Sequence, residues 1–192
     1  MSNVENSQET ISIKIAVLGK TLVGKSALTF RFISDKFPTE HDTTVEDQYQ
    51  TEVIVDGVTC ELEILDTAGQ DDYQIMLDTW IGFGNCYLLV YSIDDADSFK
   101  QVKEKYERIV QLKDKEKFSV VIVGNKCDLP EDNRKVTKEE AENYAKNIGV
   151  SFLEASALTR INIKEAFMQN IHDYLNKTHQ GNEQKKVGCP CF

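Results

Sequence analysis

Four short stretches carry residue types whose spacing suits chemistry. The first is Gly19-Lys20-Thr21-Leu22-Val23-Gly24-Lys25-Ser26. A glycine, four free positions and then Gly-Lys-Ser is the pattern of a loop that cradles phosphates. Its surroundings suit that use. Ile11 to Leu18 is a β-branched apolar run that predicts a buried strand, and Ala27 to Ile33 predicts the first turns of a helix. A strand feeding such a loop into a helix N-terminus aims successive backbone N–H groups at one spot, with the helix dipole behind them. Gly19, Leu22, Val23, Gly24 and Ala27 are the backbone candidates. Lys25 is placed to lie along the β- and γ-phosphates, and Ser26 to offer its hydroxyl to Mg²⁺. The competing account is a glycine turn that fits by chance, and eight matching residues between the right elements weigh against it. This loop alone chooses neither a base nor a purpose for the phosphate chemistry.

The other three stretches narrow the choice. Asp66-Thr67-Ala68-Gly69-Gln70 offers a carboxylate that can hold Mg²⁺ through water. It also offers a glycine that lets backbone approach a γ-phosphate, and an amide that can orient an attacking water. Asn125-Lys126-Cys127-Asp128 supplies a carboxylate able to accept from guanine N1–H and the exocyclic amine together. Adenine, with an acceptor at N1, would leave that carboxylate repelled and unpaired. Ser156-Ala157-Leu158 can bring a backbone N–H to the guanine oxygen, a weak signal alone that its order after the others strengthens.

The elements that must position these loops alternate. Gln48 to Val55 and Cys60 to Leu65 read as strands joined by the hairpin signal Asp56-Gly57. Ser34 to Val45 and Asp66 to Asp72 read as loops, and a short helix fits Tyr73 to Ile81. A continuous apolar strand follows from Cys86 to Ile93. Asp97 to Leu112 has helical spacing, Phe118 to Val123 is a buried strand, and Thr137 with Glu140 resembles a capping box for a helix to Asn147. Gly149 ends that helix. Val150 to Glu154 is a short strand, and Asn162 to Leu175 an amphipathic helix. The expected fold is α/β: a six-stranded, mostly parallel sheet with one antiparallel edge strand and helices on both faces. Ligands then gather at the carboxyl ends of the strands.

Composition sets the outer limits. The 192 residues suit one domain, with residues 1–10 a flexible leader, 11–175 the domain and 176–192 a polar, helix-poor tail. Net charge is −10, from 22 basic and 32 acidic residues, which argues against nucleic acid as a partner. Cys60, Cys86 and Cys127 sit in or beside apolar runs and read as buried thiols. Met1 to Thr10 has no secretory core, and Ser2 excludes myristoylation. The longest uncharged stretch, Thr79 to Ile93, is shorter than the ~20 residues of a spanning helix.

In order and spacing, these motifs resemble the small GTPases of the Ras superfamily over roughly Ile11 to Tyr174. Glu63-Ile64-Leu65 before Asp66, and His41-Asp42-Thr43-Thr44-Val45-Glu46-Asp47-Gln48-Tyr49, are similar to the Ras branch. The resemblance implies a single P-loop G domain that binds GTP or GDP with Mg²⁺ and hydrolyses GTP slowly. It implies that Ser26, Thr44 and Asp66 hold the metal. Thr44 and Gly69 would contact the γ-phosphate, and Gln70 would be catalytic. Phe37, Asn125, Lys126, Asp128, Ser156 and Ala157 would hold guanine. Asp42, Thr43, Val45, Glu46, Asp47, Gln48 and Tyr49 would meet effector domains. An exchange factor and an activating protein are the further partners, and the expected state is a monomer.

Several residues depart from the Ras pattern. Thr21 and Leu22 replace glycines. Thr21 puts a branched side chain near the expected place of Gln70, which argues for impaired hydrolysis, or is simply tolerated. His41 replaces Tyr, Thr43 replaces Pro, and Leu158 replaces Lys. His172 and His179 read as solvent histidines. The tail ends Cys189-Pro190-Cys191-Phe192, with a cysteine fourth from the end as prenylation requires. Lys177, Lys185 and Lys186 outweigh Glu183 only slightly, so one lipid gives marginal anchoring. The expectation is reversible association with the cytoplasmic face of a membrane, the plasma membrane first. Two alternatives stay open: a constitutively GTP-bound interaction module, and an ATP-dependent P-loop kinase that Asp128 disfavours.

Overall fold

A computed structural model describes residues 10–37, 46–69 and 74–186 of the chain. Six strands form one sheet in the order β2-β3-β1-β4-β5-β6. They are β1 (Thr10–Gly19), β2 (Glu46–Val55), β3 (Val58–Thr67), β4 (Cys86–Ser92), β5 (Ser119–Asn125) and β6 (Ser151–Glu154). β1 lies between β3 and β4, parallel to both, and β5 and β6 continue the parallel set. β2 alone runs antiparallel, folded back on β3 at Asp56-Gly57. Asp56 and Gly57 both have positive φ, as the tight turn requires.

Alternation along β1 shows why the sheet is covered on both faces. Ile13, Ile15 and Val17 face one apolar layer, with Leu28 of α1 (Lys25–Ser34) and Phe167 and Ile171 of α5 (Ile163–Lys186). Ala16 and Leu18 face the other. That layer holds Trp80 and Ile81 of α2 (Gln74–Phe83), Phe99 and Val102 of α3 (Ala96–Leu112), and Ala141 and Ala145 of α4 (Lys138–Ile148). β4 and β5 are buried along their full length, as central parallel strands must be.

The caps follow the sequence signals. Asp95 caps α3 by accepting from the N–H groups of Asp97 and Ser98. The Thr137 hydroxyl accepts from Glu140 N–H, and Gly149 closes α4 at φ 72°.

Some bounds differ from the expectation. Thr10, assigned to the leader, opens β1. Asp66 and Thr67, assigned to a loop, end β3. Asp66 pairs in register with Val17 and Asp47, and Thr67 Oγ1 donates to Val17 O at 2.8 Å. β2 begins earlier than expected, at Glu46. α5 does not stop at Leu175. Its apolar face ends there, but the backbone stays helical to Lys186, so the segment placed in a helix-poor tail begins as helix. His172 also has partners: its ring nitrogens lie 3.2 and 3.3 Å from Asn176 Nδ2, and Nε2 lies 3.5 Å from Asp56 of the hairpin. Among the described residues, no helix is long and apolar enough to cross a membrane.

Candidate functional site

The phosphate loop leaves β1 where the chain crosses from the β3 side of β1 to its β4 side, the crevice where open parallel sheets bind ligands. Gly24 precedes α1 in the left-handed region at φ 93°, and a Cβ there would lie 2.3 Å from Asn125 Nδ2. Only glycine fits. Among the described residues no side chain caps α1, and no acid sits in its first turn. Its first N–H groups therefore face the loop without a competing carboxylate, which suits an anion. Leu22 holds φ 64° and is 85% exposed, whereas Val23 is buried.

Lys25 is buried, and its ammonium donates to Lys20 O at 3.0 Å. Burial lowers its pKa to about 8, against a raising influence from Asp66. Asp66 is fully buried. Among the described residues its carboxylate is short of donors, with the Ser26 hydroxyl beside it. Burial pushes its pKa up to about 6, while the Ser26 hydroxyl and the Lys25 ammonium pull the other way. A buried carboxylate short of donors, beside a hydroxyl, fits Mg²⁺, which takes one or two protein oxygens and completes its shell from phosphate and water. Among the described residues no three His, Cys, Asp or Glu side chains are grouped to hold a metal ion.

Gly69 touches the phosphate loop directly. Thr21 N–H donates to Gly69 O at 3.0 Å, and a Cβ on Gly69 would lie 2.3 Å from the Lys20–Thr21 peptide. The Thr21 hydroxyl is buried with no partner among the described residues.

The base-side loops are bonded to each other. Asn125 Nδ2 donates to Val23 O at 2.7 Å, and Asn125 Oδ1 accepts from Ala157 N–H at 3.3 Å. One side chain thus ties the phosphate loop to the loop after β6. The Ser156 hydroxyl donates to Asp128 and accepts from Thr159 N–H at 3.0 Å. Asp128 is exposed with its carboxylate held in place, as a bidentate acceptor must be. Lys126 turns through φ 67° between them. Ser156, a weak signal in the sequence, is therefore what aims Asp128. Leu158, which stands after Ala157 in this loop, is 59% exposed.

Phe37 is half-buried at the end of the segment after α1. Glu46, Asp47, Gln48 and Tyr49 lie on β2, the first three exposed. Thr44, Gln70, Asp42, Thr43, Val45 and Cys189 lie outside the described residues.

Two participants carried no sequence signal. Lys20, a free position of the loop pattern, reaches Asp95 at 3.0 Å and Asp97 at 2.9 Å and fastens the loop to the start of α3. Those two carboxylates raise its pKa. Trp80 of α2 donates Nε1–H to Glu46 of β2 at 2.8 Å. Neither contact could be read from spacing, because its partners are far apart in the chain.

Known proteins share this arrangement. A family model described as the Ras family matches residues 14–176. The chain is 43% identical to the Ras-like protein rasB of Dictyostelium discoideum over 173 residues, which is 90% of this chain and 87% of that protein.

Proposed function

The chain belongs to the Ras family of small GTPases, and from that premise we propose that it is a slow GTP/GDP switch acting through effector domains at a membrane. As a small GTPase it binds guanine nucleotides and hydrolyses GTP to GDP and phosphate. The finer assignments are these. Lys25 and the uncapped start of α1 neutralise the phosphates. Ser26, Asp66 and Thr44 hold Mg²⁺, which when bound screens phosphate charge during transfer. Gln70 orients the attacking water. Phe37, Asn125, Lys126, Asp128, Ser156 and Ala157 hold the base. Cys189 carries a prenyl group that gives reversible attachment to the cytoplasmic face of the plasma membrane. An exchange factor and an activating protein set the occupancy of the two states.

The observation that carries the switch reading is the register of β2 on β3. Asp47 pairs with Asp66, and Glu46 with Thr67. The residue proposed to bind metal and the first described residues of the proposed effector segment are thus cross-strand neighbours. β2 is also the end strand of the sheet, so its outer edge is free for an added strand from a partner. A change in what holds the end of β3 is felt one strand away, where a partner would dock.

A specific contact favours a second reading. Thr21 N–H donates to Gly69 O, and Gly69 precedes Gln70 in the chain, so a branched side chain at Thr21 would crowd the approach of water or an incoming arginine. On that reading the protein is a GTP-bound module with impaired hydrolysis.

One experiment separates the two. The nucleotide on freshly purified protein is identified, the protein is reloaded with GDP or a non-hydrolysable GTP analogue, and capture by a Ras-binding effector domain is measured. A switch carries mostly GDP and is captured at least ~10-fold better when loaded with the analogue, a typical size for a coupling between sites. Equal capture ends the switch reading, and mostly GTP at purification favours the second.

A further inference from the structure

Arg31 lies in the last turn of α1, at the opposite end of that helix from Lys25 and Ser26. Its guanidinium reaches across to the loop after β6. Nε donates to Ala157 O at 3.0 Å and Nη2 to Leu158 O at 3.0 Å. Nη1 donates to Asp35 O at 3.3 Å. The same group lies over the Phe37 ring, 5.6 Å from its centroid. A second arginine braces the arrangement: Arg160 contacts the Asp35 carboxylate at 3.2 Å and Asp35 O at 2.8 Å. Asp35 itself closes α1 in the left-handed region at φ 57°, its N–H donating to Arg31 O.

From this geometry we infer that Arg31 is a positioning residue for guanine recognition, fixing Ala157 between two restraints so that its N–H is presented to the purine oxygen. This deepens the base-pocket reading and rests on it. The peptide groups on either side of Ala157 are both held. Its N–H side is held by Asn125 Oδ1, at a long 3.3 Å that leaves the hydrogen available to a better acceptor. Its C=O side is held by Arg31. A planar fork that takes two successive carbonyls fixes the rotation of the chain there, which a lysine, as a point charge, does not. Such bonds to a charged donor are among the stronger ones in proteins.

The same guanidinium holds the Phe37 ring, so one side chain links the wall of the pocket to the loop that reads the base.

A structural brace and a positioning residue differ in what their loss does to selectivity. A brace weakens every nucleotide alike. A residue that aims the Ala157 N–H weakens only ligands that use it. Affinities of GDP and of 2-aminopurine riboside diphosphate, which lacks the oxygen and with it the N1–H, are measured for wild type, Arg31→Ala and Arg31→Lys. The lost N1–H contact to Asp128 is common to every variant and cancels in the comparison, which leaves the coupling between Arg31 and the oxygen. The preference of wild type for GDP should fall about 10-fold in Arg31→Ala, the size of one charge-assisted hydrogen bond. It should recover only in part in Arg31→Lys.

An unchanged preference, with both affinities lowered together or not at all, overturns the inference. Should Arg31→Ala fail to fold, Arg31→Lys decides alone, since loss of the fork must still lower the preference. If wild type itself binds the two ligands equally, the base-pocket reading falls, a result distinct from failure of the Arg31 assignment.

Discussion

The base side and the phosphate side of the candidate site are built on opposite terms. On the base side the protein's own groups are already joined. Asn125 bonds both Val23 and Ala157, Ser156 holds Asp128, and Arg31 holds the carbonyls that follow. On the phosphate side, polar groups are buried and left short. Among the described residues Asp66 is enclosed with few donors beyond the Ser26 hydroxyl, Lys25 is buried enough to drop its pKa to about 8, and α1 starts without a side-chain cap.

The contrast is physical. A preassembled pocket loses little entropy on binding and discriminates by leaving wrong ligands unpaired. A cradle of desolvated charges depends on its ligand for compensation, so its neighbours respond to what is bound. Selectivity belongs to the first region and switching to the second.

The largest test breaks the base side. Asp128→Asn replaces an acceptor pair with an amide that presents a donor to guanine's own donors. GDP affinity should fall by about 10⁴-fold, with xanthine nucleotides gaining, since their 2-oxo group accepts that donor. Competition binding with GDP and XDP reads the exchange. A loss shared equally by both ligands would mean that Asp128 supports the loop and does not read the base.

The middle test probes the phosphate side through pH. The Asp66 pKa is raised from 3.8 to about 6 in the folded protein, so the folded state binds the proton more tightly than the unfolded one. Nucleotide-free protein should therefore gain stability from this group as pH falls through 6, by roughly 3 kcal/mol in all by about pH 4. Lys25 does not confuse the window, because its shift acts at about pH 8 and above. Denaturant melts of wild type and Asp66→Asn should differ most at pH 7 and converge as pH falls. A constant difference would show that Asp66 is compensated within the protein and would erase the contrast.

The smallest test asks whether the phosphate side reaches β2, the strand proposed to meet effectors. Trp80 is the chain's one tryptophan and bonds Glu46, so its emission reports on that contact. Glu46→Ala should cost about 1 kcal/mol and shift the emission of the GDP-loaded protein. Loading with a GTP analogue should move wild-type emission but leave the variant nearly still. Equal responses would place the signal elsewhere on α2.

Much of this was legible before folding. The Thr137 cap and Gly149 stop of α4, the Asp56-Gly57 turn and the buried run of β4 rest on neighbours within a few residues, where chain geometry alone decides. The bounds of β3 were not legible. Asp66 and Thr67 are polar and look like loop, yet Val17 O and the register with β1 keep them in the sheet. The length of α5 was missed because its apolar stripe ends before its backbone hydrogen bonding does. His172 looked solitary because its carboxylate partner, Asp56, lies on a hairpin far away in the chain. Among the candidate site residues, Lys25, Ser26, Asp66, Asn125 and Asp128 are proposed from spacing. Lys20, Arg31 and Trp80 did not, since each acts on a partner from another element.

What the amino-acid order determined alone was the chemistry on offer: a phosphate-cradling loop, a carboxylate suited to guanine, and strands and helices to carry them. Those features depend on residue type and short-range spacing, which a linear chain holds in full. What only the tertiary structure decided was which groups reach the ligand already bonded and which reach it wanting partners. Burial and long-range contacts fix that balance, and neither exists until β1, β3 and β5 lie side by side.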